Sequence, residues 1–111
     1  MVSALGSSLE AYLTTLSARQ RAVAENIANA DTPGYRTKDV DFRTELRNVM
    51  DGGSPAPSEV AGLRTKGDGN NVSLDREARL LSENALRFNI ALNLLRSDLK
   101  SVRMAIQEKS L

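Results

Sequence analysis

From Ser73 to about Gln107, two series of apolar residues repeat every seven positions. Leu74, Leu81, Phe88, Leu95 and Val102 form one series. Ala78, Ala85, Leu92, Leu99 and Ile106 form the other, offset by four. Two interleaved seven-residue series stay on one face of a helix wound at 3.5 residues per turn, which is the pattern of a coiled-coil seam. Ser73 is placed to cap the start of this helix. Asp75 and Glu77 near the start, and Arg103 and Lys109 near the end, suit the helix dipole. The predicted helix is about 52 Å long. A helix with such a seam must pair within its chain or associate with others.

A second stripe runs along the same segment. Leu86, Ile90, Leu94 and Met104 project away from the seam. At about 100° per residue, Leu86 and Ile90 fall nearly opposite Phe88. Arg79, Asn93 and Ser97 interrupt that face, and scattered exposed apolar residues are ordinary. A single partner helix cannot cover both sides, however. The sharper expectation is a helix packed between its own partner and neighbouring subunits.

The partner is the N-terminal segment, Ser3 to about Ala30. Val2, Leu9, Leu16, Val23 and Ala30 recur every seven residues. Leu5 and Tyr12 lie three residues after the first two, and Leu13 and Ile27 fall beside the same stripe. Ser7, Glu10, Thr14, Ser17, Arg21 and Glu25 occupy the other face, as expected of an amphipathic helix. The expected fold is all-α. Two long terminal helices pair as an extended coiled-coil hairpin, with Leu9, Leu16, Val23 and Ile27 meeting the C-terminal seam.

Between the helices the periodicity breaks. Thr32-Pro33-Gly34-Tyr35 reads as a tight turn, in which Pro33 presets φ and Gly34 supplies the positive φ of a type II turn. Thr32 precedes proline and is pushed out of the helical region, so the first helix stops near Ala30 or Asp31. A short helix follows, with Asp41 as candidate N-cap and Phe42, Leu46 and Val49 on one face. Asp51 to Ser58 reads as a mobile loop, and mobility is expected to continue through Gly67 to Asn71. The chain thus divides into an N-terminal helix (1–30), a turn, short helix and flexible middle (31–72), and a C-terminal helix (73–111), together one domain.

Counting removes most chemistry. The 111 residues include no His and no Cys, which excludes His- and Cys-based nucleophilic catalysis, His–metal sites and disulfides. Fifteen basic and fourteen acidic residues give a net charge of +1, with no concentrated basic patch to suit a nucleic acid. Arg96, Lys100 and Arg103 are mixed with Asp98 and read as a solvated face. Asp39 and Asp41 read as capping and solvation rather than a catalytic pair. Asp68 to Asn71 matches a calcium loop in composition but lacks its ligand spacing. No enzyme activity, cofactor, metal or small-molecule substrate is expected. Residues 1–16 lack the basic and apolar regions of a cleaved signal peptide, and no apolar run approaches a membrane span.

Two terminal helices paired as a hairpin enclose little interior, so the chain is expected to be stabilised by assembly. The same heptads would also serve a cytoplasmic coiled-coil adaptor or regulatory dimer.

The segment Asn26-Ile27-Ala28-Asn29-Ala30-Asp31-Thr32-Pro33-Gly34-Tyr35 closely resembles the N-terminal signature of bacterial flagellar axial proteins, the rod and hook family. Gly69 to Glu77, followed by Leu81 to Phe88, is similar to its proximal-rod members, as is Asp39-Val40-Asp41-Phe42. The resemblance is weak from Asn48 to Lys66. It implies a structural subunit of the proximal rod, the periplasmic drive shaft linking the MS ring and export gate to the distal rod. The implied partners are copies of itself, other rod proteins, and MS-ring and export-gate or adaptor components. The implied route is export through the flagellar type III apparatus without a cleaved signal peptide. Asn26 and Asn29 would satisfy helix-end carbonyls or bridge to a neighbour, and Tyr35 suits an interface.

Overall fold

The computed structural model describes residues 3–110. Five elements follow in order: α1 (Ala4–Ala28), β1 (Lys38–Asp39), α2 (Phe42–Met50), β2 (Ser58–Glu59) and α3 (Leu74–Ser110). The expected all-α hairpin is present, with α1 antiparallel to α3. Val2 and Leu111 lie outside the described residues. The radius of gyration is 18.0 Å and the extents are 69 × 25 × 18 Å. A compact chain of this length would have a radius near ~13 Å, so the molecule is a rod with little interior.

Local chemistry sets the element ends. Ser3 caps α1, its hydroxyl accepting the Gly6 N–H at 2.9 Å. Ser73 caps α3 in the same way, accepting the Arg76 N–H at 3.2 Å. Asp41 precedes α2 as expected, but its carboxylate accepts from the Thr44 hydroxyl and not from a backbone N–H. After α1 the chain reverses at Pro33-Gly34. The Tyr35 N–H donates to Thr32 O at 3.2 Å, and Gly34 sits at φ +77°, a conformation that side chains with a Cβ resist.

The antiparallel pair β1–β2, Lys38 opposite Glu59 and Asp39 opposite Ser58, was not indicated by any alternation in the sequence. Two-residue strands are too short to show a period of two. The stretch expected to be mobile through Gly67 to Asn71 is a loop, but Asn70 and Asn71 are among the most buried residues in the chain. They are held there by hydrogen bonds rather than by apolar area.

The core is thin. Leu16 and Val23 are 1% exposed, and Ala11, Ala22, Ala30, Val40, Val72, Leu80 and Ala91 complete it. Tyr12 meets Phe42 edge to face, with ring centroids 5.1 Å apart, and this contact seats α2 on α1.

The face of α3 that meets α1 differs from the expected one. Leu74, Leu81, Phe88, Leu99 and Ile106 are exposed, and Leu92, Leu95 and Val102 are only half-buried. The buried positions are Glu77, Leu80, Asn84 and Ala91. On α1, Leu16 and Val23 point inward as expected, Leu9 is half-buried, and Ile27 faces out. The helix is turned by about 75° from the orientation that its apolar periodicity predicts, counted at 100° per residue. In this orientation Glu77 and Asp98 make hydrogen bonds to α1 and its cap.

Candidate assembly faces and the polar clasp

The signature segment builds an internal clasp. Asn26 is wholly buried near the end of α1. Its Oδ1 accepts the Lys38 N–H at 3.1 Å, and its Nδ2 donates to Lys38 O at 2.7 Å. The carboxamide therefore acts as a one-residue strand along the free edge of β1. The same Oδ1 accepts from the Tyr35 hydroxyl at 3.1 Å, and Nδ2 also donates to Glu77 Oε1 of α3. All four hydrogen-bonding positions of the amide are used. Asn26 and Tyr35 thus join parts of one chain, and the contact is not left for a neighbour.

Asn29 does serve the helix end. Its Nδ2 donates to Glu25 O at 2.9 Å, and its Oδ1 accepts from the Thr32 hydroxyl. The turn itself is gripped from the far side of the loop. Asn70 Nδ2 donates to Asn29 O at 2.9 Å and to Thr32 O at 2.8 Å, while Asn70 Oδ1 accepts the Val72 N–H. Asn71 Oδ1 accepts the Thr37 N–H at 2.6 Å. Gly34 N–H donates to Asp68 O at 2.9 Å, and a Cβ on Gly69 would lie 3.4 Å from Gly34 Cα. Thr32, Pro33 and Gly34 remain exposed at the tip.

Charges complete the clasp. Asp39 accepts from Arg19 at 3.0 and 3.1 Å and from Arg76 at 2.6 Å. Arg76 also pairs with Glu77 at 3.1 Å. Burial pushes the Glu77 carboxyl above its ordinary 4.5. The Asn26 hydrogen bond and the Arg76 charge pull it back in part, and the Asp39 charge adds to the rise.

The sign of the pH effect follows from that shift. Just above pH 4.5 the folded chain keeps a proton on Glu77 that the unfolded chain has released, so stability falls as pH rises through this window. Glu77→Gln removes the effect while an amide oxygen still accepts from Asn26. Its urea midpoint, relative to that of the parent, is expected to be higher at pH 7 than at pH 4. A difference that does not change with pH would show that burial does not govern Glu77.

Arg19, Asp39, Asn70, Asn71, Arg76 and Glu77 did not emerge as clasp residues from the sequence. Asp39 looked like a solvated acid, and Glu77 looked like a dipole-matching residue in a first turn. Among the described residues, no group of three or more His, Cys, Asp or Glu side chains could hold a metal ion, and no helix is long and apolar enough to cross a membrane.

The apolar stripes lie outside the clasp. One flank of α3 carries Leu74, Leu81 and Phe88, which are 57%, 40% and 36% exposed. The other carries Leu86, Ile90, Leu94 and Met104, led by Leu86 at 63%. The face that meets α1 lies between them. Part of each flank lines an open groove. Phe88 and Ala85 line a groove of about 380 Å³ with Leu16 and Gln20 of α1. Ile90 and Leu94 line one of about 430 Å³ with Leu9 and Tyr12 of α1 and Leu46 and Met50 of α2.

Residues 13–36 match the family model described as "Flagella basal body rod protein". The chain is 34% identical to the flagellar basal body rod protein FlgB of Escherichia coli (strain K12), over 80% of this chain and 83% of that protein. It is 34% identical to FlgB of Salmonella typhimurium over the same shares. It is 30% identical to FlgB of Borrelia hermsii, over 86% of this chain and 90% of that one. The matched model ends just past the turn that the buried clasp holds, and relatives up to 34% identical cover 80% or more of the chain, so the chain belongs to the flagellar basal body rod protein FlgB family.

Proposed function

We propose that this chain is a structural subunit of the bacterial flagellar rod, at its proximal end, and not an enzyme. The observation that carries the reading is the pair of exposed apolar flanks on α3, set either side of the face used by α1. A subunit with two non-equivalent sticky surfaces joins copies head to tail, and where the rotation does not close, a helical shaft results. Burying a Leu or Phe side chain fully contributes about 1.5–3 kcal/mol. Several such side chains per contact are needed to offset an association cost on the order of 4–15 kcal/mol.

The partners in this reading are copies of the chain, other rod proteins, and the MS-ring and export-gate components at the base. The site is the basal body, reached through the flagellar type III apparatus without a cleaved signal peptide. A chain without disulfides, in which short-range helical contacts predominate, suits passage in an unfolded state.

Purified basal bodies from a strain carrying a tagged copy test the proposal. Electron microscopy with a tag-specific label is expected to mark the rod close to the MS ring, and deletion of the gene is expected to leave cells without rods. Basal bodies that carry no label, or rods that persist after deletion, would overturn it. Sedimentation that finds only a closed dimer would point instead to the adaptor role.

A further inference from the structure

Three of four successive heptad positions on the face of α3 that points into the pair are polar. Glu77, Asn84, Ala91 and Asp98 succeed one another at seven-residue steps. Glu77 accepts from Asn26 at one end of α1, and Asp98 accepts from the Ser3 hydroxyl at the other. Between them, Asn84 makes a long 3.5 Å contact to Gln20, and its Oδ1 is buried without a hydrogen-bond partner. Ala91 is 3% exposed. The apolar seven-residue series lies about 75° round the same helix, with Leu74, Leu81, Phe88, Leu99 and Ile106 exposed and Leu92, Leu95 and Val102 half-buried.

Hydrophobicity alone favours the other rotation. Turning α3 until Leu81 and Phe88 meet α1 would bury more apolar area than it exposes at Leu80 and Ala91, and would return Asn84 Oδ1 to water. Both changes are favourable, yet the helix does not make them. The two carboxylate contacts at the ends of the pair account for this, since each is met only in the observed rotation. Buried polar contacts that fix register at some expense of stability are known from coiled coils.

We infer that Glu77 and Asp98 form a rotational lock on α3, holding its polar heptad line inward so that its apolar heptads face out. Glu77 and Asp98 are positioning residues. Their role is to choose between two packings of the same helix pair. Which apolar face is offered for assembly follows from that choice. This consequence rests on the proposed function, whereas the lock itself is a property of the isolated chain.

Thiol labelling of the isolated chain tests the lock. The chain has no cysteine, so Ala85→Cys and Ala91→Cys each introduce a single thiol, one at an exposed position and one at a buried position of α3. In the parent background, the first is expected to react much faster than the second. Adding Glu77→Ala with Asp98→Ala removes both carboxylates but leaves their neighbours satisfied: Asn26 keeps Lys38 and Tyr35, Arg76 keeps Asp39, and Ser3 still caps α1.

In that background the ratio of the two rates is expected to fall by about tenfold or to invert, as protection moves from one face to the other. Glu77→Gln with Asp98→Asn, which keep an accepting oxygen at each site, should restore the parent ratio. An unchanged ratio in the alanine variant would overturn the lock. So would loss of helical circular dichroism in that variant, because the apolar seam should hold the helices together once it is free to turn inward.

Discussion

Asn26→Asp is expected to abolish the folded state near neutral pH. The substitution is almost isosteric, so packing is not the cause. An aspartate has no donor for Lys38 O or Glu77 Oε1, both of which now receive a hydrogen bond from Asn26 Nδ2. It also places a second carboxylate against the buried Glu77. An uncompensated charge at a site of this kind costs about 3–5 kcal/mol. Small domains have about 5–15 kcal/mol in total, and a rod with a thin core belongs at the low end. Urea unfolding followed by circular dichroism checks it.

Two further results separate this account from a general intolerance of the segment. Acidification should recover part of the loss, because two carboxyls at hydrogen-bonding distance can share a proton. Asn29→Asp, three residues away and partly exposed, gives up one local hydrogen bond to Glu25 O and should cost only about 0.5–1.5 kcal/mol. Equal losses at the two positions would show that the clasp does not depend on Asn26.

These contrasts explain what could be read from the residues and what could not. Helix placement was legible because Ser73, Pro33 and Gly34 act through the backbone next to them, and short-range chemistry survives in any tertiary setting. Leu16 and Val23 were found as core for the same reason that the helix was found, through their spacing. The rotation of α3 was misjudged because periodicity counts apolar residues, whereas the inward line here is Glu77, Asn84, Ala91 and Asp98. What turns that line inward is contact with Asn26 and Ser3, which are 51 and 95 residues away in sequence. No local pattern announces a partner at that distance. Asn70 and Asn71 read as a mobile stretch because polar residues beside glycine usually solvate. Here they supply the hydrogen bonds that the turn and the end of α1 would otherwise seek from water. The signature segment was therefore visible as a motif before its role was: it holds the chain's own middle against both helices.

The exposed flanks can be tested apart from the fold. Leu81→Asp and Leu86→Asp each put a charge on one apolar flank of α3, at positions that are 40% and 63% exposed. In the isolated chain a surface change of this kind moves stability by only about 0.5 kcal/mol, so both variants should keep the parent's urea midpoint. In an assembled shaft the same carboxylate would be enclosed between subunits and stripped of its water. An unpaired polar or charged group taken from water costs several kcal/mol, and about 1.4 kcal/mol is already a tenfold change in association. Each variant, expressed in place of the parent, is therefore expected to leave cells non-motile and without intact rods, while the purified chain remains folded. The two flanks can fail independently. If Leu81→Asp blocks assembly and Leu86→Asp does not, the outward heptad series is the contact surface and the second stripe is ordinary exposed apolar area; the reverse result assigns the contact to the second stripe. Motile cells with intact basal bodies for both variants would mean that neither flank of α3 is buried in the rod, and the two-surface account of how this subunit assembles would have to be abandoned.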